Sequence, residues 1–325
     1  MAQGLPRRVP QARAVDGGTL LPGFVDAHVH LGLADPLALR AGGVAGVDDL
    51  GWDRAVAAAW PGTSGFPHVR VAGAFLAAPG GYPADRAWAP AGAVDPVATP
   101  ADAAPAVARQ VAAGASYVKV TLHTGGPVLD DATLAAVVGA ARAHRLPVVA
   151  HVEGPGQAER ALEAGVGRLA HTPWTERLPD AVVEAAAERQ VWVSTLDIHG
   201  WGAPDVGQER DREVALDNLR RFHTAGGTIA YGTDLGNGPL PVGLNVRELR
   251  ALAEAGLQAP ALLRALTSRP VPGLATFLPG APPDAGTGSV DLVELLSRAT
   301  VVADPATDPA TASATRPSHP EEGTP

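Results

Sequence analysis

The chain has 325 residues, 46% of them hydrophobic and 18% charged, with a formal net charge of −9. That composition can bury a sizeable core, which excludes wholesale disorder, and its acidic balance excludes a basic nucleic-acid binder. Without cysteine, disulfides and thiolate metal sites are excluded too. No apolar run reaches the roughly 18–20 residues of a membrane span, and residues 1–20 lack the apolar centre of a signal peptide. A soluble, cytoplasmic protein is expected.

In chain order, short apolar runs read as strands at 20–25, 44–48, 68–75, 116–122, 147–152, 167–170, 191–196 and 228–232. Helical patterns lie between the later runs, at 130–145, 156–164, 178–190, 209–225 and 245–255. The first of these starts at Asp130, a fitting N-cap, and carries Leu134, Val137 and Val138 on one face. Repeated βα units argue for a parallel sheet. Eight strands over about 250 residues suit a (β/α)8 barrel of TIM type, with a doubly wound open sheet as the alternative. Residues 76–105, rich in Pro, Gly and Ala, read as a long loop over the mouth of the sheet. From 303 to 325 the Pro/Thr/Ala-rich tail reads as disordered.

Several of these strands end in a residue able to bind metal or move a proton. The first leads into His28 and His30, the fifth ends at His151, the sixth at His171 and the eighth at Asp234. His28 and His30 stand two apart on a strand, so both rings project to one side. Neutral imidazoles with a carboxylate make a plausible divalent-metal site, and parallel strands open their C-terminal ends on one face. Lys119, in the fourth strand, is the sole lysine among 25 basic residues. Alternation sets it opposite Val118 and Val120, where a charged amine needs neutralisation but a neutral amine does not.

The segments PGFVDAHVHLG at 22–32, LRAGGVAGVDDLG at 39–51, VRVAGAFLAAPGGYP at 69–83, GASYVKVTLHTGG at 114–126, VVAHVEG at 148–154, LAHTPW at 169–174 and YGTDLG at 231–236 follow one another in a telling order. Together they resemble the amidohydrolase superfamily of metal-dependent hydrolases, in its imidazolonepropionase-like and Xaa-Pro-dipeptidase-like branch. The resemblance covers residues 18–270. It implies a binuclear centre: His28, His30 and Asp234 on one ion, His151 and His171 on the other. Lys119, carboxylated by carbon dioxide, would bridge the two as a carbamate. Zinc is the default among divalent metals for such an N/O site. The implied chemistry is hydrolysis of a C–N bond in a cyclic amide, dipeptide or other small amide. A bridging hydroxide would attack, with Asp234 as general base and acid. If Lys119 were instead a plain pairing lysine, the site would be mononuclear.

His123, His199 and Tyr231 near strand ends, and Tyr82 in the long loop, are candidates for contact with a small-molecule substrate; each could equally be a loop or core residue. Glu153, on the same strand phase as His151, reads as support behind the ligands. Relatives in the superfamily carry a small β-sandwich around the barrel. This chain has room for only a truncated remnant, formed by residues 1–19 and by returning strands within 271–302, with 20–270 as the barrel. Of those returning strands, 288–295 and 300–303 are the expected ones. Unpaired sheet edges there would favour a homo-oligomer. Two rival functions remain: a lactonase or esterase using the same metals, and a non-catalytic barrel acting as a binding partner.

Overall fold

The computed structural model describes residues 12–281, 283 and 287–305. Most of the 303–325 tail and the start of the 1–19 segment lie outside these residues. Two parallel sheets form the centre. One has three strands, Val25–Val29, Gly46–Asp49 and His68–Val71. The other orders its seven strands as Thr228–Ala230, Val191–Val193, Arg168–Leu169, Val148–Glu153, Val118–His123, Phe75–Ala77 and Val94–Pro96. Backbone hydrogen bonds join the two sheets on both sides. Ala27 N–H donates to the Tyr231 carbonyl (2.9 Å) and Asp234 N–H to that of His28 (2.8 Å), while Ser116 N–H donates to the carbonyl of Val71 (2.8 Å).

Helices cover the outer side. Asp130 accepts from Thr133 N–H at 2.6 Å and starts the helix Asp131–Ala143, which buries Leu134, Val137 and Ala141 at helical spacing. Asp205 and Gln208 close a capping box on Val206–Thr224, three residues ahead of the start that periodicity suggests. Asn245 caps Val246–Glu254 by accepting from two N–H groups. In the strand Val118–His123, Val118, Val120 and Leu122 join the helix-facing core, as does the stacked pair Trp192–Phe222 (3.9 Å between ring centroids). Period-2 alternation sends Lys119 the other way, over the Phe75 ring.

Four features differ from the sequence reading. The run 20–25 divides into Gly18–Pro22, which joins an antiparallel sheet, and Val25–Val29, which joins a parallel one. Pro22 has no N–H to continue a ladder, and a Cβ on Gly23 would meet that of Ala45 at 2.8 Å. The run 68–75 divides in the same way, at Gly73 with φ +76°. Residues 76–105 are not a structureless loop. They contain a parallel pair, Phe75–Ala77 with Val94–Pro96, and the start of the helix Pro100–Ala112, capped by Thr99 and Asp102. Pro100 at the first helical position needs no N–H partner, so proline there begins a helix rather than forbidding one.

The fourth difference is near the C-terminus. Residues 288–295, expected as a strand, lie in the helix Ser289–Leu296, which buries Leu292, Val293 and Leu296. The strands that return are Leu274–Pro279 and Thr300–Ala303. They complete a four-stranded antiparallel sheet with Arg13–Val15 and Gly18–Pro22.

Candidate metal centre

Six side chains from five parallel strands, or from the residues just after them, gather in one cluster; Lys119 is the second residue of Val118–His123, and the others lie towards or beyond their strands' C-terminal ends. His28, His171, Asp234 and Lys119 are each at most 3% exposed, and one atom from each of His28, His171 and Asp234 lies within 4.8 Å of the others. Asp234 Oδ1 is 3.1 Å from His28 Nε2 and 3.2 Å from His30 Nε2. The ring centroid of His171 is 4.7 Å from that of His28 and 5.0 Å from that of His151.

Hydrogen bonds behind the rings fix which nitrogen faces the cluster. His28 Nδ1 meets the carbonyl of Ala170 at 2.9 Å, and His30 Nδ1 that of Gly51 at 3.0 Å. A carbonyl only accepts, so each Nδ1 donates and each Nε2 of a neutral ring presents a lone pair. Burial holds His28 and His171 well below the usual imidazole range, with the Lys119 amine adding to it, so both rings are neutral. The Nε2 lone pair of the neutral His28 ring thus faces Asp234 Oδ1 with no hydrogen bond between them. Among the described residues, neither His28 Nε2 nor Asp234 Oδ1 has a hydrogen-bond partner. A buried convergence of donors is costly unless a cation completes it, and this donor set suits a divalent metal.

The backbone around the cluster is strained where it serves these side chains. Asp234 has φ +60° and Thr195 φ +43°, the second unusual for a β-branched residue. Thr195 Oγ1 pairs with His171 Nδ1 at 2.9 Å, and Asp234 Oδ2 accepts from Asn237 at 2.8 Å. Gly51, whose carbonyl orients His30, has φ +145° and lies so close to Phe75 that a Cβ would fall 2.2 Å from its ring. Two further acids hold the loops. Asp26 accepts from Thr233 Oγ1 at 2.6 Å and from the His28 and Thr233 N–H groups, tying the first strand to the last. Burial pushes its carboxyl up to about 7. Asp49 accepts from Leu31 N–H at 2.8 Å and sets the turn after His30.

Lys119 is 1% exposed, and no described group hydrogen-bonds its amine. Burial pushes its pKa down to about 7 against the attraction of Asp234, so much of it is neutral at neutral pH. His151 is turned partly aside. Its Nε2 lies 3.1 Å from Glu153 Oε2, which is also 2.9 Å from His123 Nδ1. These three form a second group with metal-ligand spacing. Glu153, expected only as support, is at the centre of it. The signal was legible: an acid two residues after a strand-end histidine shares its face.

The softer candidates separate. Tyr82 stacks on His151 at 4.8 Å and lies 5.0 Å from His123, so both are at the cluster. Tyr231 is not. It is fully buried in the helix-facing core, its hydroxyl accepting from Asn245 N–H at 2.8 Å. His199 stands behind Trp174, whose ring is 5.6 Å from His199 and 5.4 Å from His171. Trp88, 5.6 Å from His30, and Trp174 wall the cluster; Trp174 closes the quoted segment LAHTPW, while nothing in its local sequence marks Trp88.

No family model and no curated protein matches the sequence. Solved structures do match the fold. One is a Xaa-Pro dipeptidase with methionine bound in its active site (TM-score 0.71, 20% identity, covering 87% of this chain and 85% of that one). Others are an A. niger ochratoxinase (0.69, 19%, 87% and 82%) and phenylurea hydrolase B (0.65, 17%, 93% and 88%). This chain shares their fold. Among the described residues, no helix is long and apolar enough to cross a membrane.

Proposed function

We propose that this chain is a metal-dependent amidohydrolase that cleaves a C–N bond in a small amide. The observation that carries the reading is the meeting of His28 Nε2 and His30 Nε2 on Asp234 Oδ1, buried and with no hydrogen bond between them. Hydrolases with this fold, named for dipeptide and phenylurea substrates, support it. We read the two stitched sheets as one closed (β/α)8 barrel, because backbone hydrogen bonds run across both seams.

His28, His30 and Asp234 would hold one divalent ion, zinc by donor type, and His151 and His171 a second. A bound divalent metal supplies an acidified water and polarises a carbonyl. The neutral Lys119 amine would attack carbon dioxide, forming an N–C bond and losing a proton, to give an anionic carbamate that would help to hold the metal. Burial of the amine favours the neutral form that this needs. Asp234 would take the nucleophile's proton at Oδ1 while Asn237 holds Oδ2, then return it to the departing nitrogen. Tyr82 and His123 would contact the substrate from above, and Trp88 and Trp174 would exclude water from it.

The test is elemental analysis of the purified chain with assays on a panel of amides and dipeptides. Bound divalent metal, with chelator-sensitive release of amine, is the expected result. A folded chain that binds no metal and cleaves none of the panel would sink the reading.

A further inference from the structure

A separate cavity of about 320 Å³ lies between the helices Val206–Thr224 and Val246–Glu254, on the far side of Trp174 from the imidazoles. We propose that it binds a small monocarboxylate with an apolar side group. The site stands apart from the metal reading and does not depend on it.

Its polar lining is rich in donors that have nothing to bond. The His199 ring is 93% buried by its 7% exposure, and no described group hydrogen-bonds it. Burial and the Arg212 guanidinium keep that ring neutral, so it retains an N–H to give. Arg247 Nη2 is buried and, although 2.9 Å from Asp197 Oδ2, is out of line for a hydrogen bond. Arg250 is exposed and pairs with no described residue. The acceptors, by contrast, are largely spent. Asp197 already receives Asn245 Nδ2 at 2.7 Å and Arg247 Nε at 3.0 Å. Arg212 is tied to Glu254.

Three guanidiniums and two carboxylates, Asp197 and the exposed Glu209, line the cavity; Arg212 is spent on Glu254 and Arg247 shares Asp197, which leaves Arg250 as the lining cation with no described ion-pair partner. An incoming carboxylate would bring acceptors to His199, Arg247 and Arg250, the pairing that guanidinium favours. Leu196 and Ala251 give an apolar wall for the rest of the ligand. The volume is at the lower end for small-molecule pockets, which limits the ligand to amino-acid size. A dianion would meet Glu209 and is disfavoured.

The test is calorimetric titration of the full chain, as purified, with 3-methylbutanoate and with 4-methylpentan-2-one, its uncharged analogue. Three proteins are compared: wild type, Arg250→Ala, and Asp234→Asn, which alters the metal cluster only. Saturable binding of the carboxylate alone is expected, weakened about fivefold by Arg250→Ala and unchanged by Asp234→Asn. Arg250 makes no contact that folding needs, so a matching melting temperature keeps that variant interpretable. Any of three results would overturn the proposal: no binding, equal binding by Arg250→Ala, or loss of binding in Asp234→Asn. The last would place the carboxylate on the metal cluster instead.

Discussion

The parallel strands carry two buried polar clusters, and they are built to opposite ends. Near the strand starts, both oxygens of Asp48 are taken: Oδ1 by Arg269 Nε at 2.8 Å, Oδ2 by Arg168 and the Tyr117 hydroxyl at 3.0 Å each. Arg269 spends Nη2 on the carbonyls of Val47 and His68, and Nη1 on that of Pro270 and on His68 Nδ1. At the strand ends, Asp234 faces imidazole lone pairs and its Oδ1 has no donor. Burial costs are similar in both places, but only the first cluster offsets them from within the chain. A buried charge that is matched holds the fold together. One that is left unmatched beside strained backbone is waiting for something from outside.

Substitutions can break this contrast. Asp234→Asn should lower amide hydrolysis about 10³-fold while leaving the melting temperature of the metal-free, chelated chain level or higher, since it removes an unmatched charge. Rate assays beside thermal melts read both. Asp48→Ala should do the reverse. It strands Arg269 and Arg168 in the interior, so stability should fall by about 3–5 kcal/mol in a urea titration, with metal content per folded molecule kept. A smaller effect separates the ends by ligand. Chelation should lower the melting temperature of wild type, because the ion binds only the folded chain, and should leave Lys119→Ala less affected. Equal shifts would argue against a role for Lys119 in holding metal.

The smallest effect concerns pH and sharpens the contrast at a third buried acid. Glu248 is fully buried, its Oε2 accepts from Asp197 N–H at 2.8 Å, and its Oε1 has no partner. Burial pushes its carboxyl up to about 7. The folded chain therefore holds this proton more tightly than the unfolded chain does. The stabilisation is full below the ordinary glutamate pKa of about 4.3 and is lost as pH rises through about 7. Glu248→Gln should flatten that decline by a few degrees in melts run across this window, and an unchanged slope would count against it.

Much of the site was legible in the sequence because strand ends repeat a simple geometry. His28, His30, His151, His171 and Asp234 each follow an apolar run, so a parallel sheet was enough to bring them together. Lys119 announced itself by being the sole lysine, and its flanking valines gave its direction. What misled was composition. The Pro- and Ala-rich stretch after Phe75 reads as loop, yet Pro96 closes a strand and Pro100 opens a helix that runs on through Pro105. Ser289–Leu296 reads as a strand because a short apolar run such as its Val290, Leu292, Val293, Leu295 and Leu296 does not by itself tell a strand from a helix; the burial of Leu292, Val293 and Leu296 is helical. Tyr231 follows a strand as the candidate ligands do, but alternation turned it to the helices.

The sequence by itself determined which residues could be ligands and on which strands they lie, since side-chain direction along a strand is a local property with period 2. Only the tertiary structure decided which polar atoms remain unmatched: Asp48 finds Arg269 more than two hundred residues away, while Asp234 finds imidazoles that have no proton to give. Pairing across the chain is a matter of which ends meet. No local pattern in the sequence records it.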